Sequence, residues 1–402
     1  MSKKALAGIK VIEYASFANG PYAGKLLADL GAEVIKVEPP DGDRSRRYGP
    51  FPGDVPHKEK SGLFLWLNSN KQGVTLDLKK AGGRNIFDKL VKDADVLIEN
   101  CPPKDCGQLG LEYERLKEIN PKLIQTSITP FGHTGPYKDF KGYAITCSAA
   151  GGASIASGDP GREPLTIPIN LSSYEAGACA AIATLHTMLQ RQLTGRGQHI
   201  DIAESEVPAT LYTGRYIVLF LYIGVTGIRR GRHAGYFLYP TTTLQAKDGY
   251  MCLIAPQVEQ WVRFTEVMGC PEWTKNPRYR DRRAMAEQYP DEADALITSW
   301  MMQHTREEIF NLCREKHIPF APVWNIDEVV NSPHLKERGY FVDIKHPQAG
   351  ELKYPGFPYK LTRTPCSIER PAPLLGEHNE AVFAGLGYTK EQLAKLKKSK
   401  VI

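Results

Sequence analysis

Between residues 9 and 128, short apolar strands alternate with helical segments across connections of only a few residues. That alternation limits the fold more than any other feature of the chain. Ile9–Tyr14 is an apolar run that passes through Ala15–Pro21 into a helix over Tyr22–Leu30; Gly31 ends the helix and Ala32–Glu38 reads as the next strand. Two strands joined through one short helix lie parallel in a common sheet. The unit then repeats, with strands at Gly73–Leu78, Asp93–Asn100 and Leu123–Ile128 and helices at Ala81–Lys92 and Tyr113–Ile119. The expected fold class is therefore α/β, a doubly wound parallel layer. Neither G-x-G-x-x-G nor a Walker A sequence follows any of these strands, which argues against a dinucleotide or P-loop nucleotide site.

Ligands of open α/β sheets sit at the carboxyl ends of the strands. That rule puts the loops Ala15–Gly20, Glu38–Arg47, Glu99–Gly107 and Thr129–Tyr143 on one rim, and each carries glycine, proline, asparagine or a charge. A small-molecule cleft is expected there.

The stretch Pro168–Ile202 reads P-I-N-L-S-S-Y-E-A-G-A-C-A-A-I-A-T-L-H-T-M-L-Q-R-Q-L-T-G-R-G-Q-H-I-D-I. Asn170, Ser172 and Ser173 are residue types that cap helix N-termini, and Tyr174–Gln192 is helical in pattern. The run Gly177–Ala181 is almost all small side chains, so another backbone or a cofactor can come close. A helix N-terminus gathers partial positive charge and unpaired N–H donors, a good seat for an anion or a developing oxyanion. Thr194–Gln198 then turns the chain into a strand at His199–Ala203.

Beyond Tyr222 the texture changes to mixed strands and helices, and residues 225–325 are expected to form a smaller α+β domain. The eight cysteines, at 101, 106, 147, 179, 252, 270, 313 and 366, include no C-x-x-C and no zinc spacing with histidines. They read as reduced structural thiols, no metal site is expected, and the lack of a leader-like or membrane-length apolar run fits a cytoplasmic protein. A net charge of +6 with dispersed basic residues suits an anionic small molecule. Without a basic stripe carrying interleaved aromatics, nucleic acid is not an expected partner.

L-A-G-I-K-V-I-E at 6–13, G-P-Y-A-G-K-L-L-A-D-L-G-A-E-V-I-K-V-E at 20–38, D-V-L-I-E-N at 95–100, F-G-H-T-G-P-Y at 131–137, T-G-R-G-Q-H-I-D-I at 194–202 and L-G-E-H-N-E at 375–380 run in order along the chain. Together they resemble the family III CoA-transferases, whose members act on formyl-CoA and oxalate, carnitine, or benzylsuccinate. The resemblance implies a Rossmann-like large domain with a parallel sheet built from both chain termini (1–224 and 326–402), a small domain (225–325), and two interlocked subunits. It also implies a coenzyme A thioester as substrate and no tightly bound cofactor. By that resemblance Ala18, Lys79, Asn100, Leu109, Lys141 and Tyr143 fall on CoA-contacting positions.

The family's reaction uses an aspartate. Its carboxylate attacks the thioester to give a mixed anhydride, CoA thiolate returns to make an aspartyl-CoA thioester, and the acceptor carboxylate takes the CoA. Counting back from T-G-R-G-Q, that aspartate's place holds Ser173, and a hydroxyl can never carry CoA as a thioester. Ala144 stands where relatives carry an acid, Pro102 replaces a common arginine, and the glycine-rich lid has no clear counterpart near Gly231–Gly235. Glu175 is the nearest carboxylate in sequence, but it lies about 200° around a helix from Ser173.

Three readings stay open. The preferred one is a non-catalytic subunit paired with a homologous chain that carries the aspartate, as in succinyl-CoA:(R)-benzylsuccinate CoA-transferase of anaerobic aromatic degradation. The others are a self-sufficient enzyme, a homodimer using Glu175, and a binding or regulatory homologue.

Overall fold

A computed structural model describes residues 4–226, 229, 231–233 and 238–402 of the chain. Of the stretch Gly231–Gly235, where the sequence shows no clear counterpart of the lid, residues 234 and 235 lie outside the described residues. Two compact units are present: residues 1–154, 166–222 and 336–402 in one, residues 155–165 and 223–335 in the other. The smaller unit thus takes in a segment before the long helix and runs to residue 335, ten residues past the sequence boundary.

The larger unit is built on six parallel strands: β1 (Lys10–Tyr14), β2 (Glu33–Glu38), β3 (Gln72–Thr75), β4 (Val96–Glu99), β5 (Ile124–Thr129) and β6 (His199–Ala203). Their order is β3-β2-β1-β4-β5-β6, the doubly wound arrangement that reverses between β1 and β4. Among the helices that accompany them are α1 (Asn19–Asp29), α2 (Gly62–Leu67), α3 (Ala81–Lys92), α4 (Pro103–Leu109), α5 (Tyr113–Ile119), α6 (Ala144–Ala150) and α7 (Leu171–Thr194). β4 and β5 are buried at every position, as strands covered on both faces must be. Alternation divides their side chains between two cores. Val11, Val96 and Ile98 pack on one face with Ala176 and Ala180 of α7. Ile12 and Leu97 pack on the other with Phe87 of α3.

The expectation that the sheet itself draws on both termini needs correcting. All six strands come from residues 10–203, and the C-terminal segment covers the β3 edge instead. Asn379 Oδ1 accepts the Thr75 N–H at 2.8 Å, His378 Nδ1 accepts the Gly73 N–H at 3.1 Å, and the Asp77 N–H reaches the Val401 carbonyl at 2.8 Å. The physical reason is that these contacts satisfy edge N–H groups through side chains and single bonds, which needs no added strand. A hairpin of β10 and β11 (Phe341–His346 and Gly350–Pro355, antiparallel) packs its Ile344 and Tyr354 on Phe64 and Leu65 of α2.

Beneath the strand ends lies a buried ionic network. Lys36 Nζ meets Glu13 at 2.9 Å and Asp43 at 2.8 Å, and Lys71 Nζ meets Glu13 at 2.7 Å. The Arg46 guanidinium grips Glu38 through Nε at 2.7 Å and Nη2 at 2.8 Å, and Nη2 reaches the Pro373 carbonyl at 3.1 Å. Burying charges is costly unless each is paired, and here each is.

The smaller unit holds an antiparallel sheet of β7 (Thr241–Ala246), β8 (Gly249–Ile254) and β9 (Ala321–Pro322), with Phe264, Ile297 and Ile309 in its core. No helix among the described residues is long and apolar enough to cross a membrane.

Candidate active site

The carboxyl ends of β1, β2, β4 and β5 open into a cavity of about 780 Å³, within the range of small-molecule and cofactor pockets. Its lining draws on all four rim loops inferred from the sequence, together with Asn170, Ser173 and Glu204. Four cations, Arg44, Lys104, Lys138 and Lys141, stand along it.

Backbone placement of the first rim loop is over-determined. Asp43 Oδ1 accepts from the Phe17 N–H at 3.0 Å and from Ser16 Oγ at 3.1 Å, while its other oxygen faces Lys36. Burial pushes the Asp43 carboxyl up, but Lys36 and the N–H groups of Ser45 and Phe17 outweigh it and hold its pKa down at about 2. Phe17 adopts φ 75°, a left-handed conformation rare for a bulky side chain. Asn100 ties the loop from the other side: its Oδ1 accepts the Ser16 N–H at 2.9 Å, and its amide donates to the Ser16 carbonyl and Asn19 Oδ1, each at 2.7 Å.

At the closed end stands a carboxylate that sequence reasoning missed. Glu204 follows β6 directly and is only 4% exposed. Its Oε1 accepts from Ser173 Oγ at 2.7 Å and Ser172 Oγ at 2.9 Å, and its Oε2 accepts from Asn19 Nδ2 at 2.9 Å. The rule that marked the other rim loops, the carboxyl end of a parallel strand, also marks residue 204. The rim as read from the sequence stopped at Tyr143.

The serines therefore do not cap their helix as expected. Asn170 is the N-cap residue with φ 53° and makes no side-chain cap bond; the hydroxyls of Ser172 and Ser173 turn to Glu204 instead. A charged acceptor holds a hydroxyl more strongly than a backbone N–H can. Close packing makes this possible. At Gly177 a Cβ would sit 2.5 Å from the Asn19 carbonyl, so α7 can press against the start of α1 and bring Asn19 to Glu204.

The remaining sequence candidates divide cleanly by position. Asn100, Lys141 and Tyr143 line the cavity together with Ser173, Tyr143 being 67% exposed. Ala18 is buried at 1% exposure within the same loop, and Leu109 belongs to the apolar core of the sheet. Lys79 is exposed outside the lining, with its N–H held by Asp77 at 3.0 Å. Glu175 is half-buried and outside the lining, and burial raises its pKa. Ala144 and Pro102 line the cavity, and the Ala144 carbonyl accepts from Ser172 at 3.1 Å. All eight cysteines are free thiols; burial pushes Cys106 and Cys147 up to about 12, far from thiolate reactivity at neutral pH.

A sequence model of CoA-transferase family III matches residues 6–379.

The chain belongs to CoA-transferase family III.

Succinyl-CoA–D-citramalate CoA-transferase of Chloroflexus aurantiacus is 33% identical over 99% of this chain and 98% of that protein. Subunit BbsE of succinyl-CoA:(R)-benzylsuccinate CoA-transferase from Thauera aromatica is 32% identical over 92% of this chain and 91% of that subunit. A crystal structure of a CAIB/BAIF family protein from Brucella suis superposes with a TM-score of 0.87 at 32% identity, covering 96% of this chain and all of that one. A family III CoA-transferase takes CoA thioesters as substrates. For that substrate class the rim cations are apt, since lysine and arginine supply counter-charge to phosphates.

Proposed function

We propose that this chain is a subunit of a CoA-transferase that moves CoA between carboxylic acids, paired with a homologous subunit that carries the aspartate nucleophile. One observation carries the reading. The residue at the head of α7 inside the cavity is Ser173, whose hydroxyl is committed to Glu204. An ester could form on that oxygen, but transfer requires an enzyme carboxyl carbon that can itself become a thioester. The partner then attacks the thioester carbonyl with its aspartate and releases CoA thiolate. The thiolate attacks the aspartate's carbonyl carbon, frees the donor acid and leaves CoA on the enzyme for the acceptor. The similarity to a relative named as a subunit of a benzylsuccinate CoA-transferase supports this pairing, and succinyl-CoA in both relatives' names supports it as donor. Benzylsuccinate is the acceptor we propose, in the cytoplasm.

Glu204 favours a second reading, in which its own carboxylate takes the aspartate's part and the chain transfers CoA unaided. Native mass spectrometry of the protein from its host, with turnover of the chain alone, separates the two. Two unlike masses and no turnover by the isolated chain are expected. A doubled single mass with turnover that Glu204→Gln abolishes would overturn the pairing and establish the second reading.

A further inference from the structure

We propose that Glu99, Cys106 and His133 bind a divalent transition-metal ion, with zinc the best match. They come from three elements: Glu99 ends β4, Cys106 lies on α4, and His133 sits in the loop after β5. One carboxylate oxygen, the Cys106 sulfur and one His133 ring nitrogen all lie within 4.8 Å of one another. Nothing in their spacing, 99, 106 and 133, resembles a zinc motif; adjacent parallel strand ends bring them together.

A second observation points to a ligand. Glu99 is fully buried; its Oε1 makes no well-formed hydrogen bond, though Ser127 and Gln125 stand beside the carboxyl and favour its charged form, and His133 Nε2 has no hydrogen-bond partner either. The other oxygen, Oε2, already accepts the Cys101 N–H at 2.7 Å, so Oε1 is the one left over. A buried carboxylate oxygen without a partner costs free energy that a bound cation recovers. His199, whose ring packs beside His133, is taken by Ser127 Oγ at 2.8 Å. The His133 backbone is fixed, its main-chain N–H donating to Asp201 Oδ2 at 2.9 Å, and its ring meets His199 edge-on at 5.3 Å.

Donor chemistry selects the ion. Carboxylate, thiolate and imidazole together suit zinc, which would displace the proton that Cys106 keeps without it and release it to solvent, whereas magnesium and calcium prefer all-oxygen shells. With zinc–ligand bonds of about 2.0–2.3 Å, ligand atoms of a tetrahedral site stand about 3.5 Å apart. The trio would therefore close by at most about 1.3 Å, with water as fourth ligand. Such an ion would pin the loop over 100–107 to the loop over 129–143, both of which line the cavity. Its role would be to set the width of the rim, and the inference stands apart from which subunit carries the nucleophile.

The full chain is stripped with a chelator, loaded with Zn²⁺ or Co²⁺, desalted, and its metal counted. One equivalent per chain is expected, with Cys252→Ser as a control that keeps it. Cys106→Ser and His133→Ala should each lower zinc affinity at least tenfold, and the Co²⁺ protein should show thiolate-to-cobalt absorption that Cys106→Ser removes. Failure of the wild type to retain zinc, or equal retention by both variants, overturns the site. Should a variant misfold by circular dichroism, the wild-type cobalt spectrum decides: without the thiolate band, Cys106 is no ligand and the proposal fails.

Discussion

Ser173 Oγ donates to Glu204 Oε1 across 2.7 Å, and this bond brings a carboxylate to the head of α7, whose own first turn contains no acid. A helix N-terminus favours negative charge. Here the charge arrives from the end of β6 rather than from the helix itself.

The Glu204 carboxylate is the common acceptor for Ser172, Ser173 and Asn19. Glu204→Leu strands the buried Ser173 hydroxyl and takes an acceptor from the half-buried Asn19 amide, while Ser172 keeps the Ala144 carbonyl; each unsatisfied group costs about 1–3 kcal/mol. We expect a loss of about 2–4 kcal/mol in urea unfolding, and about 1 kcal/mol for Glu204→Gln, which keeps an acceptor oxygen. A Glu204→Leu protein as stable as wild type would show that these bonds do not hold the closed end together.

Gly177 is the contact point of α7 with α1. An added Cβ would meet the Asn19 carbonyl at 2.5 Å and the Tyr22 Cβ at 3.2 Å, and backbone cannot swing aside as a flexible side chain can. Gly177→Ala raises helix propensity by about 1 kcal/mol, yet overpacking of this kind costs about 1–3 kcal/mol. A net destabilisation of up to about 2 kcal/mol is expected in thermal melts. A higher Tm in Gly177→Ala would mean that the two helices can separate freely.

Asp43 links the ionic network to the rim, and its folded pKa near 2 fixes a pH window. An unfolded aspartate titrates near 3.9. A carboxyl whose folded pKa is depressed contributes stability above its unfolded pKa and loses it as pH falls toward the folded value. The stability gap between wild type and Asp43→Asn should therefore be full at pH 5, of the order of 2 kcal/mol, and shrink as pH falls from about 4 to 2. Urea titrations at stepped pH would show this; a gap that does not change between pH 5 and 2.5 would remove Asp43 from the account.

The frame was readable in the chain because β1 to β5 carry their own signals: apolar runs, short connections and helical periodicity between them. The rim loops followed from strand direction alone. Glu204 was not readable, because its role depends on Ser172 and Ser173 turning back to the end of a strand thirty-one residues further on. Lys36, Lys71 and Glu13 were also hidden, since charged residues within strands and loops look solvated until their partners are placed. Covering of the β3 edge by residues near 379 and 401 has no local pattern either. It is visible only as hydrogen bonds between segments 300 residues apart.

If CoA lies in the cavity described, the rim cations should matter according to their position. Lys141 lines it and Lys79 does not. Removing a lysine that faces a phosphate costs about 1–1.5 kcal/mol, close to tenfold in affinity. Calorimetric titration with CoA should therefore weaken about tenfold for Lys141→Ala and stay within about twofold for Lys79→Ala. Equal losses for both would place the nucleotide elsewhere.

Supplying the missing carboxyl at position 173 should not by itself create a nucleophile. In Ser173→Asp the introduced carboxyl would stand within hydrogen-bond reach of Glu204, and two carboxyls so close cannot both ionise easily; one keeps a proton. The folded protein would then hold more protons than the unfolded chain, so the variant's stability relative to wild type should fall as pH rises from 4 to 7. Replacing Glu204 with Gln in the same protein removes the second charge while leaving an oxygen and an amide at that place, and the introduced carboxyl can ionise. Incubated with succinyl-CoA, the double variant should accumulate a hydroxylamine-sensitive adduct of CoA's mass on the peptide spanning Leu171–Thr194, and Ser173→Asp alone should not. Labelling of the single variant to the same extent would mean that Glu204 does not oppose a charge at the helix head, and that the serine alone separates this chain from an active subunit.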